Sequence, residues 1–120
     1  MQDFKNLKVW EKGHQLTLLI YKHTISFPKD EIYGITSQIR RASSSIPANI
    51  AEGCGRYSKE DVARFFQIAL GSAHETEYLL ILSKDLNYLK EESFKELIGL
   101  VNEVKAILIT LIKNSKQNTL

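Results

Sequence analysis

The residue types that could carry out metal chemistry in this chain stand in two short patterns, and each pattern is incomplete. Glu11 and His14 have the Glu-x-x-His spacing of di-iron helical bundles, but such a centre needs a second pair and two further glutamates that face inward. No second Glu-x-x-His occurs in the sequence. His74 precedes Glu75 but lacks the second histidine of the H-E-x-x-H zinc motif. The sequence therefore predicts no metal site.

Nucleophilic and phosphate-binding patterns are incomplete as well. Cys54 is the only cysteine, and no motif supplies the base and the oxyanion donors that a catalytic thiol requires. Gly53 and Gly55 indicate a helix stop, since no strand precedes them and no G-K-[ST] follows. The serines at 43–45 lack the strand-to-helix elbow of hydrolases. We predict a protein without catalytic residues, cofactor or small-molecule substrate.

Length and composition favour a single helical domain over residues 1–120. The 43% hydrophobic and 25% charged residues are typical of globular proteins, and 6 glycines with 2 prolines give too few turns for a β-sandwich or barrel. One cysteine suits a reducing compartment. No apolar run approaches the roughly 18 residues of a membrane span, and the first residues lack a signal-peptide layout. We expect a cytoplasmic protein with no membrane partner.

Apolar residues recur with helical spacing over four stretches, and the breaks between them are short. The predicted helices run from Leu7 to Ile25, from Asp30 to Glu52, from Ser58 to Leu86, and from Ser93 into a polar tail at about 113–120. The apolar seam of the second helix includes Ile32, and Pro47 lies inside its pattern. Short connections place neighbouring helices antiparallel. The expected fold is all-α, an antiparallel up-down-up-down four-helix bundle.

The third predicted helix is apolar over more of its circumference than one core requires. Leu79, Leu80, Ile81 and Leu82 are consecutive, so at about 100° per residue they point in all directions. Either this helix is deeply embedded in the bundle, or it also contacts a second subunit. The small residues at 71–73 favour the second alternative, because they allow another backbone to approach closely.

The second predicted helix carries a polar stripe beside its isoleucine seam. The stripe consists of Gln38, Arg41, Ser45, Asn49 and Glu52, which fall within about 80° of arc. It is either a solvated flank or a hydrogen-bonded network at an interface. Spacing alone favours the solvated flank.

Five segments of the sequence follow, in order, the pattern of a known family. They are Phe4-x-x-Leu7-x-Val9-Trp10, Phe27-Pro28-x-x-Glu31-x-Tyr33-Gly34, Gln38-Ile39-Arg40-Arg41-Ala42, the run SIPANIAEGCGR at 45–56, and Phe65-x-x-Ile68-Ala69-x-Gly71-Ser72-x-x-Glu75. On these residues the chain resembles, over about 4–112, the four-helix bundle proteins encoded in intervening sequences of bacterial 23S ribosomal RNA genes. It is also distantly similar to the accessory variability protein of diversity-generating retroelements.

The resemblance implies an antiparallel bundle that assembles as a homopentamer, without an established activity. It also changes the interpretation of the polar stripe, because residues of the shared pattern lie in it. We expect an interhelical or intersubunit network of Gln38, Arg41, Asn49, Glu52 and Glu75. Glu75 lies toward the apolar arc of its helix and, if buried, would need a cation. Arg41 is the first candidate for that partner and Arg56 the second.

Charge is unevenly distributed along the chain, although the net charge is only +2. In the expected bundle the N-terminus, the turn at 53–58 and the C-terminus share one end, where cations predominate. Five parallel copies would repeat this end into a basic rim that binds phosphate backbones without base readout. The alternative is ordinary surface charge. Candidate phosphate contacts are Arg56, Lys59, Lys113 and Lys116, with Arg40 on the wall of the assembly.

The leading hypothesis is therefore a non-enzymatic homopentameric bundle that binds structured RNA, such as ribosomal RNA, or another nucleic acid at its basic end. The alternative is an interaction scaffold that docks a partner protein such as a reverse transcriptase or nuclease. The salt dependence of binding distinguishes these two hypotheses, because phosphate binding weakens steeply as the salt concentration rises and apolar docking does not.

Overall fold

Four long helices make up most of the chain in the computed structural model, which describes the backbone of residues 2–118 and the side chains of residues 2–115. The helices are α1 (Lys8–Thr24), α2 (Ile35–Cys54), α3 (Lys59–Asp85) and α4 (Glu91–Asn118). Two short 3-10 turns, Phe4–Asn6 and Lys29–Glu31, lie before α1 and α2. No strand occurs between residues 2 and 118.

The helices form a four-helix bundle that is 48 Å long and 22 by 20 Å across. Each helix packs against the next one along the chain, and α4 packs back against α1. The Gln2 amide donates to the Cys54 carbonyl at 3.3 Å, so the start of the chain lies beside the end of α2. At the opposite end, Tyr88 Oη donates to Glu31 Oε2 at 2.9 Å and joins the two other connections. The predicted bundle is confirmed.

The apolar seams of the sequence form the core. Among the most deeply buried side chains are Val9, Leu16, Ile20, Ile39, Ile46, Ile50, Leu80, Leu97, Val101, Val104 and Leu108. Ile32 is an exception, because 56% of its surface is exposed. The predicted seam placed it in the second helix, whereas it lies in the connection before α2.

The second helix begins at Ile35 instead of Asp30, and this prediction of its start was wrong. Lys29–Glu31 forms a separate 3-10 turn, from which Glu31 Oε1 accepts a hydrogen bond from the Ile35 amide at 3.3 Å. A Cβ at Gly34 would lie 2.5 Å from that same oxygen. The carboxylate therefore satisfies a free amide at the start of α2, and it occupies the space that a Cβ at residue 34 would take.

The fourth helix begins at Glu91, two residues before the predicted start, and its backbone remains helical through Asn118. The segment that the sequence marks as a polar tail is therefore helical as far as Asn118.

The third helix matches its predicted bounds to within one residue at each end. At its start, Ser58 Oγ accepts a hydrogen bond from the Asp61 amide at 3.1 Å. This bond is the capping interaction typical of a Ser-x-x-Asp sequence, which residues 58–61 have.

Pro47 lies inside α2 and leaves the Ser43 carbonyl without its usual backbone donor. Thr17 Oγ1 on α1 lies 3.0 Å from that carbonyl and 2.9 Å from the carbonyl of Gly13 in its own helix. The two helices approach closely here, because a Cβ at Gly13 would lie 3.2 Å from Ile46 Cγ2. The threonine hydroxyl thus stands in for the N–H that proline lacks.

Candidate nucleic-acid interface

Three segments that are far apart in the sequence meet at one end of the bundle: the first residues, the turn between α2 and α3, and the end of α4. Between them lies a cavity of about 260 Å³ whose lining includes Gln2, Arg56, Tyr57, Lys59 and Ser115. We call this the basic end. The segments 1–8, 52–64 and 113–116 hold seven lysines and arginines against four acids, whereas 22–34 and 84–96 at the other end hold five against six. The positive excess therefore lies at the basic end.

A four-residue turn presents side chains to this cavity. The Gly55 amide donates to the Glu52 carbonyl at 3.1 Å, and the Arg56 amide donates to the Gly53 carbonyl at 3.0 Å. These bonds satisfy carbonyls at the end of α2. Ser58 then caps α3, so residues 55–58 form a short, hydrogen-bonded corner between the two helices.

Contacts with residues of both α2 and α3 hold the Arg56 side chain in place. Its Nη2 lies 3.5 Å from Glu52 Oε1, and its guanidinium lies 4.7 Å from the Phe65 ring centroid. The Arg64 guanidinium also lies over Phe65, at 4.6 Å. The Arg56 Nε is buried without a hydrogen-bond partner among the described residues. Arg56 therefore joins α2 to α3 in this chain, and Glu52 offsets part of its charge.

Three lysines of the basic end have no ion-pair partner among the described residues. Lys5, Lys8 and Lys113 are exposed, and none of the three forms an ion pair within the described part of the chain. Lys59 lines the cavity. Lys116 lies outside the residues whose side chains the structure describes.

Arg40 lies away from the basic end, on the side of α2 that faces α1. Its Nε donates to Thr24 Oγ1 at 2.8 Å, and its guanidinium lies 4.7 Å from the Tyr21 ring centroid. These contacts show that Arg40 helps to join α1 and α2.

A groove of about 370 Å³ between α2 and α3 brings together part of the predicted network. Its lining includes Gln38, Arg41, Ser45, Ser72 and Glu75. Ser45 Oγ and Ser72 Oγ lie 2.9 Å apart, which links the two helices directly. Ser72 was missed as a member of the network, although its place in the shared family pattern was a usable signal.

Asn49 extends this hydrogen-bonded cluster along α2. Its Nδ2 donates to the Ser45 carbonyl at 2.8 Å and lies 2.9 Å from Ser45 Oγ. Glu52 continues the stripe toward the basic end, where its partner is Arg56. The serines and Asn49 thus form an interhelical cluster, while the charged members lie around it.

Glu75 is exposed in the chain, so the burial that would have required a cation partner does not occur in the single chain. It lines the same groove as Arg41 but forms no ion pair with Arg41 or Arg56 within the described residues. An exposed carboxylate remains hydrated and needs no partner inside the chain. Gln38 and Arg41 are exposed as well, so the groove presents both charges to the outside.

The outward face of α3 carries apolar residues that the bundle does not cover. Ile68, Tyr78 and Ile81 are 42%, 59% and 38% exposed, whereas Leu79 and Leu80 are buried. The alternative of a fully embedded helix therefore does not hold for the single chain. Gly71 lies on this face, and a Cβ built there would meet no atom within 4 Å. Nothing within the described chain requires a glycine at this position.

Tyr57 is the residue of the basic end that the sequence interpretation missed. It lies in the corner between α2 and α3, and 92% of its surface is exposed. An aromatic residue between two cations, in a turn bounded by glycine, is the signal that could have identified it.

Cys54 and His14, two of the residues considered for catalysis or metal binding, are engaged in packing within the bundle. Cys54 is 5% exposed, and burial raises the pKa of its thiol, which keeps it in the less nucleophilic protonated form. The His14 ring stacks on Trp10 with centroids 5.0 Å apart. Among the described side chains, no three His, Cys, Asp or Glu residues are grouped so as to hold a metal ion.

None of the helices in the described range combines the length and the apolar character that crossing a membrane requires.

The family described as 23S rRNA-intervening sequence protein matches residues 5–110. A protein of unknown function from the S23 ribosomal protein family of Bacteroides thetaiotaomicron, whose crystal structure was determined at 1.70 Å resolution, is similar to the chain with a TM-score of 0.80. The two are 30% identical, and the match covers 88% of this chain and 98% of that one. No curated protein matches the chain.

Proposed function

We propose that this chain, which belongs to the 23S rRNA-intervening sequence protein family, is a non-enzymatic, self-assembling bundle that binds structured RNA through its basic end. It would act in the cytoplasm, as a ring of five copies with their basic ends on one side. The number five comes from the family resemblance. The proposal rests on the meeting of three cation-bearing segments around one cavity.

Phosphate backbones are the ligand that this arrangement fits. Lys5, Lys8 and Lys113 are exposed and have no ion-pair partner in the described chain, and Lys59 lines the cavity. A lysine ammonium binds phosphate as a point charge and releases counterions from RNA when it does so. The net excess per chain is small, so affinity would come from repetition of the same end in each copy.

Self-assembly is supported by the outward face of α3. A glycine inside a helix costs about 1 kcal/mol relative to alanine, and no neighbour within the described residues accounts for Gly71 or Gly99. Gly71 differs from Gly99 in lying on the face of α3 where Ile68 and Tyr78 are exposed. A backbone from a second copy would account for it. The groove beside it contains Arg41 and Glu75, which have opposite charge and no partner in the described chain. Arg41 of one copy could therefore form an ion pair with Glu75 of another.

The assembly is tested with Gly71→Leu. The monomer has room for the side chain, so the fold should remain and the mass measured by analytical ultracentrifugation should fall below that of the wild type. Gly99→Leu is the matched control, because Gly99 is also exposed in mid-helix with no atom within 4 Å of a built Cβ. An unchanged mass for Gly71→Leu, or a monomeric wild type, would refute assembly through this face.

RNA binding is tested by fluorescence anisotropy with a labelled ribosomal RNA hairpin at about 50 and 200 mM salt. Two phosphate contacts are enough for about a tenfold loss of affinity over this range. Lys8→Gln with Lys113→Gln should weaken binding and lower the salt dependence. The control is Lys29→Gln with Lys90→Gln, which removes the same charge from exposed lysines at the opposite end. No binding by the wild type at the lower salt would refute the proposal.

A second candidate function is a scaffold that docks a partner protein, such as a reverse transcriptase or nuclease. The observation that favours it is the apolar face of α3, with Ile68 and Tyr78 exposed. If the wild type is monomeric and binds no RNA, this face is where a partner protein should bind. Such binding would change little with salt.

A further inference from the structure

The aromatic rings of this protein differ in how well they are covered. Ring or cation contacts cover Phe4, Trp10, Tyr21, Phe27, Phe65, Tyr88 and Phe94, and Phe66 is buried. Three tyrosines remain largely open: Tyr33 at 93%, Tyr57 at 92% and Tyr78 at 59% exposed. Tyr57 is the open ring that lies at the basic end.

The surroundings of Tyr57 suit a ligand that is flat and carries phosphates. The side chain follows Arg56 in the chain and lines the same cavity as Lys59. In the described chain, no ring or guanidinium stacks on Tyr57, whereas Phe65 nearby is already occupied by two arginines. One aromatic face is therefore free within a cluster of cations.

We propose that Tyr57 is a stacking platform for one unpaired nucleobase of the RNA, while nearby lysines contact the flanking phosphates. This inference rests on the proposed function and names the RNA element that the basic end takes: a single-stranded loop or end. Base–aromatic stacking tolerates any base, because every base has a π-face. A paired base inside a duplex is not available to stack on a side chain.

The proposal also assigns different tasks to neighbouring residues. Lysines supply the salt-dependent part of the affinity, because each phosphate contact releases counterions. Tyr57 supplies a part that does not change with salt, since its ring carries no charge. Substituting Tyr57 should therefore lower the affinity without changing the slope of affinity against salt, while substituting Lys113 should reduce that slope.

The experiment compares Tyr57→Ala, Tyr57→Phe and Tyr33→Ala in the full chain, with circular dichroism as a check on folding. The probes are a labelled RNA hairpin with an unpaired loop and a fully paired RNA duplex of similar charge. Tyr33→Ala is the matched control, because Tyr33 is equally exposed but lies at the opposite end. Binding is measured by anisotropy at about 50 mM and 200 mM salt.

We expect Tyr57→Ala to bind the hairpin about 5- to 150-fold more weakly, with the salt slope and the binding of the duplex unchanged. Tyr57→Phe and Tyr33→Ala should bind like the wild type. If Tyr57→Ala binds the hairpin as the wild type does, or loses equal affinity for hairpin and duplex, the stacking platform is refuted while RNA binding stands. If the wild type binds neither RNA, the proposed function itself fails.

Discussion

The Thr17→Val substitution tests how α1 compensates for a proline inside α2. Pro47 has no N–H, and the Thr17 hydroxyl lies 3.0 Å from the Ser43 carbonyl that this proline leaves free. Ser43 is fully buried and Thr17 is 8% exposed, so water cannot replace the lost donor easily. Valine keeps the shape of threonine but removes the hydroxyl.

The expected cost follows from leaving a buried acceptor unsatisfied. Such a group destabilises a fold by about 1–3 kcal/mol, which is a large share of the 5–15 kcal/mol typical of a domain. The carbonyl of Gly13, which the same hydroxyl approaches at 2.9 Å, retains a backbone donor within α1. The loss should therefore come mainly from Ser43.

A double-mutant cycle isolates this effect. Pro47→Ala restores an N–H that can bond to the Ser43 carbonyl, so Thr17→Val should cost less in that background, with a coupling energy of about 1 kcal/mol. Free energies of unfolding would be measured by urea denaturation for the four proteins. Thr110→Val is the control, because Thr110 is exposed and its hydroxyl donates to the Ala106 carbonyl of its own helix. The compensation is refuted if Thr17→Val is as stable as the wild type, or equally costly with alanine at 47.

Three further substitutions or reactions probe other contacts. Gly53→Ala should destabilise the fold by about 1 kcal/mol in urea denaturation, because its Cβ would lie 3.1 Å from both Phe65 Cβ and the buried Phe66 ring, and the overpacking cost of about 1–3 kcal/mol exceeds the gain of about 1 kcal/mol in helix propensity; equal or higher stability would contradict this. The hydrogen bond to Glu31 raises the pKa of Tyr88 above its ordinary value near 10. The stability that this hydrogen bond contributes is therefore present below pH 10 and is lost as the pH rises through the pKa of Tyr88 in the folded protein. In urea denaturation, the difference in unfolding free energy between the wild type and Tyr88→Phe should shrink above that folded pKa, and a difference that stays constant with pH would refute this reasoning. The buried Cys54 thiol should react with a disulfide reagent more slowly in the folded protein than in urea, and equal rates would show that it is accessible.

The bundle itself could be predicted from the sequence because its signals are local and repeated. The seam through Ile39, Ile46 and Ile50 has helical spacing, and these residues are buried as expected. The capping pattern at Ser58 fixes the start of α3 for the same reason. Long periodic segments bury one face whatever the details of their neighbours.

Prediction from the sequence failed where a contact between distant residues determines the local structure. Asp30 and Glu31 look like the first turn of a helix, yet Glu31 is held by Tyr88, 57 residues away, and α2 begins later. Glu75 lies toward the apolar arc of its own helix, but whether α2 covers it depends on how the two helices pack. The position of Tyr57 between two cations can be read from the sequence, but its free ring cannot, because coverage of an aromatic ring is a property of its neighbours in space.

Photocrosslinking of a bromouridine-substituted ribosomal RNA hairpin, followed by mass spectrometry of the protein, tests most directly whether the basic end contacts RNA. We expect the crosslinked residues to lie in the corner at 55–58, with Tyr57 foremost, and near Lys113 at the end of α4. Crosslinks at Tyr33 and the opposite end, or none under conditions where the RNA is bound, would contradict binding through the basic end.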